Sequence, residues 1–418
     1  MRTKIAMSVF LTLALSYFNI DVIPIDTPLK YSSLPTYHST YETLDRDLFI
    51  RNQGTANTCW AFAANSLLEI HLLKNYDILE NFSEKHMIDN SPVPTDALSG
   101  GRFNIAMGYF LNRLGPLSEN GNQDYFVKSY VYANNDMNMT KQLIKQHGAV
   151  VTSIFYDISR TGFFNEDTAS YFNPSKSNPI THDVLLIGWD DYYDRNNFRS
   201  KPKKNGAFIA QNSFGSDWGR HGLFYISYED VHVLDTNYAI DSVENVSPDS
   251  NVYYYDETGV THFEGFPEVE EIYGINNFTA GVIGNDQTEY LTGIGIYTSE
   301  PNTRVTFYAD SIEFDPLTVE LKSPLGQTLY RLPGYHRFDL DIPFQLIEGA
   351  PFYIGAKVSG SGPFVFPIEA PYPGMDYEVS ASENEGYLGF GTLPGDFLPI
   401  FKFRNQSSLA IRAYTANQ

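Results

Sequence analysis

Gln53-Gly54-Thr55-Ala56-Asn57-Thr58-Cys59-Trp60-Ala61-Phe62 carries the only cysteine of the chain, placed just ahead of a helical pattern. Apolar residues fall at Ala61, Ala64, Leu68 and Leu72, and a second set at Trp60, Ala63, Leu67 and Ile70. Spacings of three and four predict a helix over Ala61–Leu73, and two such faces predict that it is buried on most sides. Cys59 then sits at a helix N-terminus, where unpaired N–H groups and the positive dipole end favour thiolate over thiol. A lone cysteine in isolation is ordinarily a small buried hydrophobe. Gln53-Gly54 stands ahead of it and Trp60-Ala61-Phe62 behind it.

A second segment bears the matching chemistry. Thr181-His182-Asp183-Val184-Leu185-Leu186-Ile187-Gly188-Trp189 is an apolar strand opening on a histidine. After a polar insertion, Asp190 to Asn205, expected to be a long hairpin, the chain returns as Gly206-Ala207-Phe208-Ile209-Ala210-Gln211-Asn212-Ser213-Phe214-Gly215-Ser216-Asp217-Trp218-Gly219. Together with the Cys59 segment, this resembles the papain-like cysteine peptidases, whose strand pair reads H-x-V … K-N-S-W-G-x-x-W-G. The resemblance implies that Cys59 is the nucleophile, His182 its acid–base partner and Asn212 the residue that orients the imidazole. Gln53 is implied as an oxyanion donor beside the Cys59 backbone N–H. It implies a resting thiolate–imidazolium pair and acyl-enzyme chemistry without a cofactor or metal. Phe214 departs from the family pattern: a tryptophan normally shields the histidine–asparagine bond, and a phenyl ring is expected to exclude water there.

Around this core the chain follows the same family. Ser83 is a predicted N-cap for a short second helix, and Ile105, Met107 and Leu111 mark a third. Gly100-Gly101, at the position where the family lets substrate backbone pair as an extended strand, is expected to line the cleft. Arg102 and Asp183 are expected beside it, giving a polar pocket for the substrate side chain. A helix over Met139–Gln146 precedes Ala149–Tyr156, read as the first strand of a β-rich lobe. The other histidines, His71, His86, His147, His232 and His336 among them, have no partnering motif and are read as structural.

The composition limits the alternatives. The chain has 418 residues, 50 acidic against 28 basic side chains and a net charge of −22. Such a balance argues against nucleic acid, whose phosphates need Lys and Arg. Met1 to Phe18 has the form of a secretory signal, with Arg2 and Lys4, the apolar run Ile5–Leu15 and an Ala14-Leu15-Ser16 cleavage site. No later run is apolar enough to span a membrane, so a secreted protein of the extracellular space or cell surface is expected. Ala56 stands where many relatives carry a bracing cysteine, and a secreted chain with one cysteine implies a bacterial source. Segment 17–32 is too short for the family's helical inhibitory propeptide.

From about Ser247 the pattern changes to short alternating runs, among them Asn251–Tyr255, Tyr290–Tyr297, Arg304–Tyr308, Phe352–Val358 and Ser408–Tyr414, with Gly, Pro, Asn and Asp turns between. This half resembles the lectin-like domain appended to some bacterial papain-like peptidases. Aromatics such as Tyr253, Tyr254 and Tyr255 could stack on a surface glycan, but most are expected in the sandwich core, and no sugar-binding residue is singled out. The expected fold is α+β: a signal at 1–16, a short segment 17–32, a two-lobe papain-like domain at 33–246 and a jelly-roll-like β-sandwich at 247–418. The expected function is a secreted cysteine endopeptidase acting on proteins or peptides. Two other classes stay open: a surface-binding adhesion protein on a non-catalytic papain-like scaffold, and a cell-wall amidase or transglutaminase-like enzyme.

Overall fold

The computed structural model describes residues 33–44, 50–93, 100–157, 162–266, 269–281, 288–360, 364–371, 379 and 384–418. The signal and segment 17–32 lie outside them. Among the described residues five α-helices lie before residue 148: α1 (Thr40–Leu44), α2 (Cys59–Tyr76), α3 (Glu84–Asp89), α4 (Phe103–Leu111) and α5 (Met137–His147). No α-helix follows α5 among the described residues, where the chain is built of strands and short 3-10 turns.

Helix α2 begins at Cys59 and buries fourteen of its side chains, from Cys59 to Leu73, as two apolar faces require. Its N-cap, Thr58, makes no side-chain capping bond, so the first N–H groups of the helix are left for other acceptors. Ser83 caps α3 by accepting from the His86 N–H at 3.4 Å, and Asp136 caps α5 in the same way through Met139. Expected helices and observed helices agree here to within a few residues.

Behind α2 lies a 13-stranded sheet. On the peptidase side its order is Tyr125–Ala133, Asn237–Asn245, Val150–Ile154, His182–Asp190, Ala207–Gln211 and Leu223–Ser227. The strand expected to open this lobe is therefore not the first. Tyr125–Ala133 precedes it, and its irregular burial along the strand disguises the alternation. The Asp190–Asn205 insertion is a hairpin connection between antiparallel strands, holding only a 3-10 turn at Arg195–Asn197.

The same sheet continues into the second half. Gly334–Gln345 pairs with Tyr125–Ala133 through Gly334 to Val131 and Tyr335 to Tyr130, and beyond it lie Glu289–Thr298, Ile411–Asn417 and Ser250–Tyr253. Gly334 is required at this seam: a Cβ there would lie 2.1 Å from the Tyr130 carbonyl oxygen. A six-stranded sheet, including Glu271–Thr279, Thr303–Asp310 and Pro351–Ser359, faces those outer strands. Ile272, Val305, Phe307 and Ile354 interleave with Leu291, Ile294, Ile296 and Ile411 between the layers, which makes the expected β-sandwich.

One apolar core also crosses the seam. Trp60, Leu67, Ile70, Tyr109 and Tyr130 pack with Tyr297, Tyr335, Ala410 and Tyr414. Buried polar groups do the same. Arg412 and Asp256 are fully buried, paired at 2.7 Å, and Arg412 also donates to Asn112 Oδ1 at 2.7 Å. Glu244 receives Arg113 at 2.9 Å from the first half and Arg337 at 2.7 Å from the second. Residue 247 is thus a change of pattern in the chain, with a shared sheet and core on both sides of it.

Candidate active site

The N-terminus of α2 and the start of strand His182–Asp190 meet at the sulfur of Cys59. The backbone N–H of Asp183 donates to Cys59 Sγ at 3.5 Å. Cys59, Gly101, Arg102, Ser153, His182 and Asp183 line a cavity of about 610 Å³.

His182 is fixed on its far side. Its Nε2 lies 2.8 Å from Asn212 Oδ1, and the Ser213 backbone N–H donates to the same oxygen at 2.8 Å. A backbone N–H only donates, so the Asn212 atom facing it is the carbonyl oxygen. Nε2 must then carry the proton, which leaves Nδ1 with the lone pair. Phe214 stacks on the imidazole, with centroids 5.0 Å apart and planes 20° apart, and Tyr156 closes a second side at 5.5 Å. The phenyl ring takes up the shielding position expected for it.

Gln53 is built into the same group of bonds. Its backbone N–H donates to Ser213 O at 2.9 Å, its Oε1 accepts from Ser213 Oγ at 2.5 Å, and its Nε2 donates to Ala56 O at 2.6 Å. One amide N–H remains to be directed elsewhere. Arg51, two residues earlier, anchors this loop from below through Glu69, Glu84 and Asn81. Sequence reasoning missed that anchor, because a charged triad scattered over 34 residues leaves no local pattern.

The electrostatics oppose one expectation. Burial, with the nearby Asp183 carboxylate adding to it, pushes the Cys59 thiol up to about 12, although the N–H groups of Asp183, Trp60 and Cys59 pull the other way. Burial likewise pushes His182 down to about 4, against the Asn212 bond. Each group held alone in this site is therefore neutral at pH 7, and the expected resting thiolate–imidazolium pair is disfavoured by desolvation. Proton transfer from sulfur to Nδ1 brings no net charge into the site, so it remains open as a step of the reaction.

Asp183 is itself buried. Burial raises its carboxyl to about 6, while the Ser153 hydroxyl, donating at 2.5 Å, and the charge of Arg102 lower it. Gly100 takes a φ of +77°, and Gly101 has a different constraint: a Cβ would lie 2.4 Å from the Trp60 indole nitrogen. Gly101 is glycine here because α4 must close onto Trp60, whatever else binds over it. Among the described residues no group of histidine, cysteine and carboxylate side chains is arranged to hold a metal ion.

Comparison with known proteins agrees with this geometry. Residues 48–242 match the family model of the papain family cysteine proteases, and residues 252–415 that of the lectin like domain. Mouse procathepsin L is 26% identical over 194 residues, and the viral cathepsin of Epiphyas postvittana nucleopolyhedrovirus 28% over 189. The matches take in 43% and 42% of this chain, and the chain spans 56% and 55% of those relatives. The crystal structure of the cysteine protease and lectin-like domains of Cwp84, described as a surface layer associated protein of Clostridium difficile, superposes with a TM-score of 0.80. It covers 92% of this chain and 90% of its own at 22% identity, which shows a common fold across both halves. Residues 48–242 of this chain thus match the papain family of cysteine proteases, and residues 252–415 match the lectin like domain.

Proposed function

We propose that the chain is a secreted cysteine endopeptidase that cleaves proteins or peptides through Cys59. The observation that carries this is the double acceptor role of Asn212 Oδ1, since it leaves the lone pair of His182 on Nδ1 in a histidine that lines one cavity with Cys59. As Cys59 Sγ bonds to the scissile carbonyl carbon, its proton passes to His182 Nδ1. The charge developing on the carbonyl oxygen is met by the Cys59 backbone N–H and the remaining Gln53 amide N–H. His182 then returns the proton to the leaving amine as the C–N bond breaks. Water, deprotonated by the same nitrogen, hydrolyses the thioester and restores the thiol.

Arg102 and Asp183 make the cavity beside the sulfur polar, so side chains with hydrogen-bonding groups are its expected occupants; a peptide library showing a preference for bulky apolar side chains there contradicts this. Signal-directed export places the activity outside the cell or at its surface, a setting in keeping with the surface layer association printed for Cwp84. The half-buried tyrosine run of the second half is engaged within the protein. Tyr253 bonds Glu289 at 2.9 Å, Tyr254 lies under Arg412 at 4.9 Å, and Tyr255 bonds the Asn277 carbonyl at 2.5 Å.

The test is casein hydrolysis and iodoacetamide labelling of the wild type beside Cys59→Ala. Loss of both in the variant supports the assignment, and undiminished hydrolysis refutes it.

A further inference from the structure

The cavity beside Cys59 is not lined by the peptidase half alone. Val260 and Thr261, from the chain that enters the second half, form part of its wall together with Arg102, Phe103, Asn104 and Tyr238. This strap, residues 256–261, is held at both edges.

On one edge it lies along α4. Asn112, the C-cap of α4, donates to the Glu257 carbonyl at 2.7 Å. Gly108, in the middle of that helix, is so close to the strap that a Cβ would lie 3.0 Å from the Glu257 carbonyl oxygen and 3.2 Å from Thr258 Cα. The N-terminal end of the same helix, Phe103 and Asn104, lines the cavity opposite. One short helix thereby sets the distance between two walls.

On the other edge the strap is clamped by the second half. The Glu369 carboxylate accepts the N–H groups of Glu257 and Thr258, each at 2.8 Å. The Thr261 N–H donates to Ile368 O at 3.0 Å, and Thr261 Oγ1 donates to Ala370 O at 2.9 Å. Asp256, at its start, is locked by the buried Arg412. Two bonds from one buried carboxyl group to successive backbone N–H groups make a rigid attachment.

From this we infer that the strap is a specificity element of the peptidase. Val260 and Thr261 bound the size of the substrate side chain that the cavity accepts, and Glu369 acts on that choice as a positioning residue from the lectin-like half. The inference rests on the peptidase function proposed above, and it makes the second half a partner in substrate selection as well as a structural brace. A wall on a clamped strap discriminates by volume, because it cannot retreat from a side chain that is too large.

The experiment compares wild type with Val260→Trp, Val260→Thr and Glu369→Gln on peptides that differ only in the side chain occupying the cavity. Thermal melts select the variants that fold, and iodoacetamide alkylation reports the state of Cys59. Val260→Trp is expected to lower the ratio of kcat/KM for large over small side chains by ~10-fold or more. Val260→Thr, which keeps the volume and adds a hydroxyl, should leave that ratio within a factor of about two if selection is by volume. Glu369→Gln, which loosens the clamp, should lower KM for large side chains more than it changes kcat, with the alkylation rate held. If Val260→Trp fails to fold, Val260→Ala takes its place and the expected ratio shifts upward. Wild-type hydrolysis with an unchanged ratio in the folded Val260 variants overturns the inference alone. Absence of wild-type hydrolysis overturns the peptidase proposal, and this inference with it.

Discussion

Asp183 acts on Cys59 in two opposed ways: its backbone N–H donates to the sulfur at 3.5 Å, and its buried carboxylate raises the thiol pKa. The first favours the thiolate and the second disfavours it. Burial is the largest effect, and it too favours the protonated thiol over the thiolate.

Replacing the carboxylate while keeping the N–H separates the two. In Asp183→Asn the Ser153 hydroxyl still finds an oxygen acceptor, so the local bonds survive. Asp183 titrates at about 6. Above that pH the wild type carries a negative charge beside the sulfur and the variant does not. The ratio of variant to wild-type alkylation rates should therefore rise with pH above 6 and approach one below it. Stability gives an independent sign: the folded pKa lies above the model value of 3.8, so the ionised carboxylate costs stability at neutral pH, and the cost fades as pH falls from 6 towards 3.8. Asp183→Asn should raise Tm more at pH 8 than at pH 4.

Asn212 holds the imidazole through an oxygen shared with the Ser213 N–H. Asn212→Ala should lower kcat by ~10²-fold, the scale of a mispositioned acid–base group. Phe214→Ala admits water to the same bond and should fall in the same direction by less, with Phe214→Trp retaining most activity. Steady-state kinetics on one peptide substrate, with Tm controls, checks the order.

Arg51 is set between the carboxylates of Glu69 and Glu84, both nearly buried. Burial raises Glu69 to about 7 even with Arg51 beside it. Arg51→Met leaves two acids without their cation and should cost about 3–5 kcal/mol of stability. The loop bearing Gln53 would loosen with it. Chemical denaturation read by tryptophan fluorescence measures the loss.

Arg412 and Asp256 form the fully buried ion pair at the seam between halves. Arg412→Met should cost about 3–5 kcal/mol for the same reason. Because sheet and core are continuous there, the wild type should melt in one calorimetric transition, and a chain ending near residue 247 should be poorly soluble, with Tyr130 and its neighbours uncovered. Two separated transitions in the wild type would contradict this.

Much of the first half was legible in sequence because its signals are local. The two apolar faces of α2, the Ser83 cap and the run after His182 each lie within a few residues. The type of the second half was legible too, from period-two runs such as Tyr290–Tyr297. What was hidden depends on distance. Tyr125–Ala133 is buried on both faces and loses its alternation. The pairing of Tyr335 with Tyr130 and of Arg412 with Asp256 joins residues more than a hundred positions apart, and neither member announces its partner. Gly101 carries a further constraint that no local pattern announces, the Trp60 ring. The helix N-terminus at Cys59 is visible in sequence, and the depth of burial that opposes its ionisation is not.

The central claim is that the Cys59 sulfur bonds to the substrate carbonyl carbon. Intact-mass measurement of the chain, acid-quenched during turnover of a peptide ester, tests it directly. The account predicts one acyl adduct, mapped to Cys59, that decays at the rate of hydrolysis and is absent from Cys59→Ala. Continued hydrolysis with no adduct, or an adduct on another residue that persists in Cys59→Ala, would contradict it.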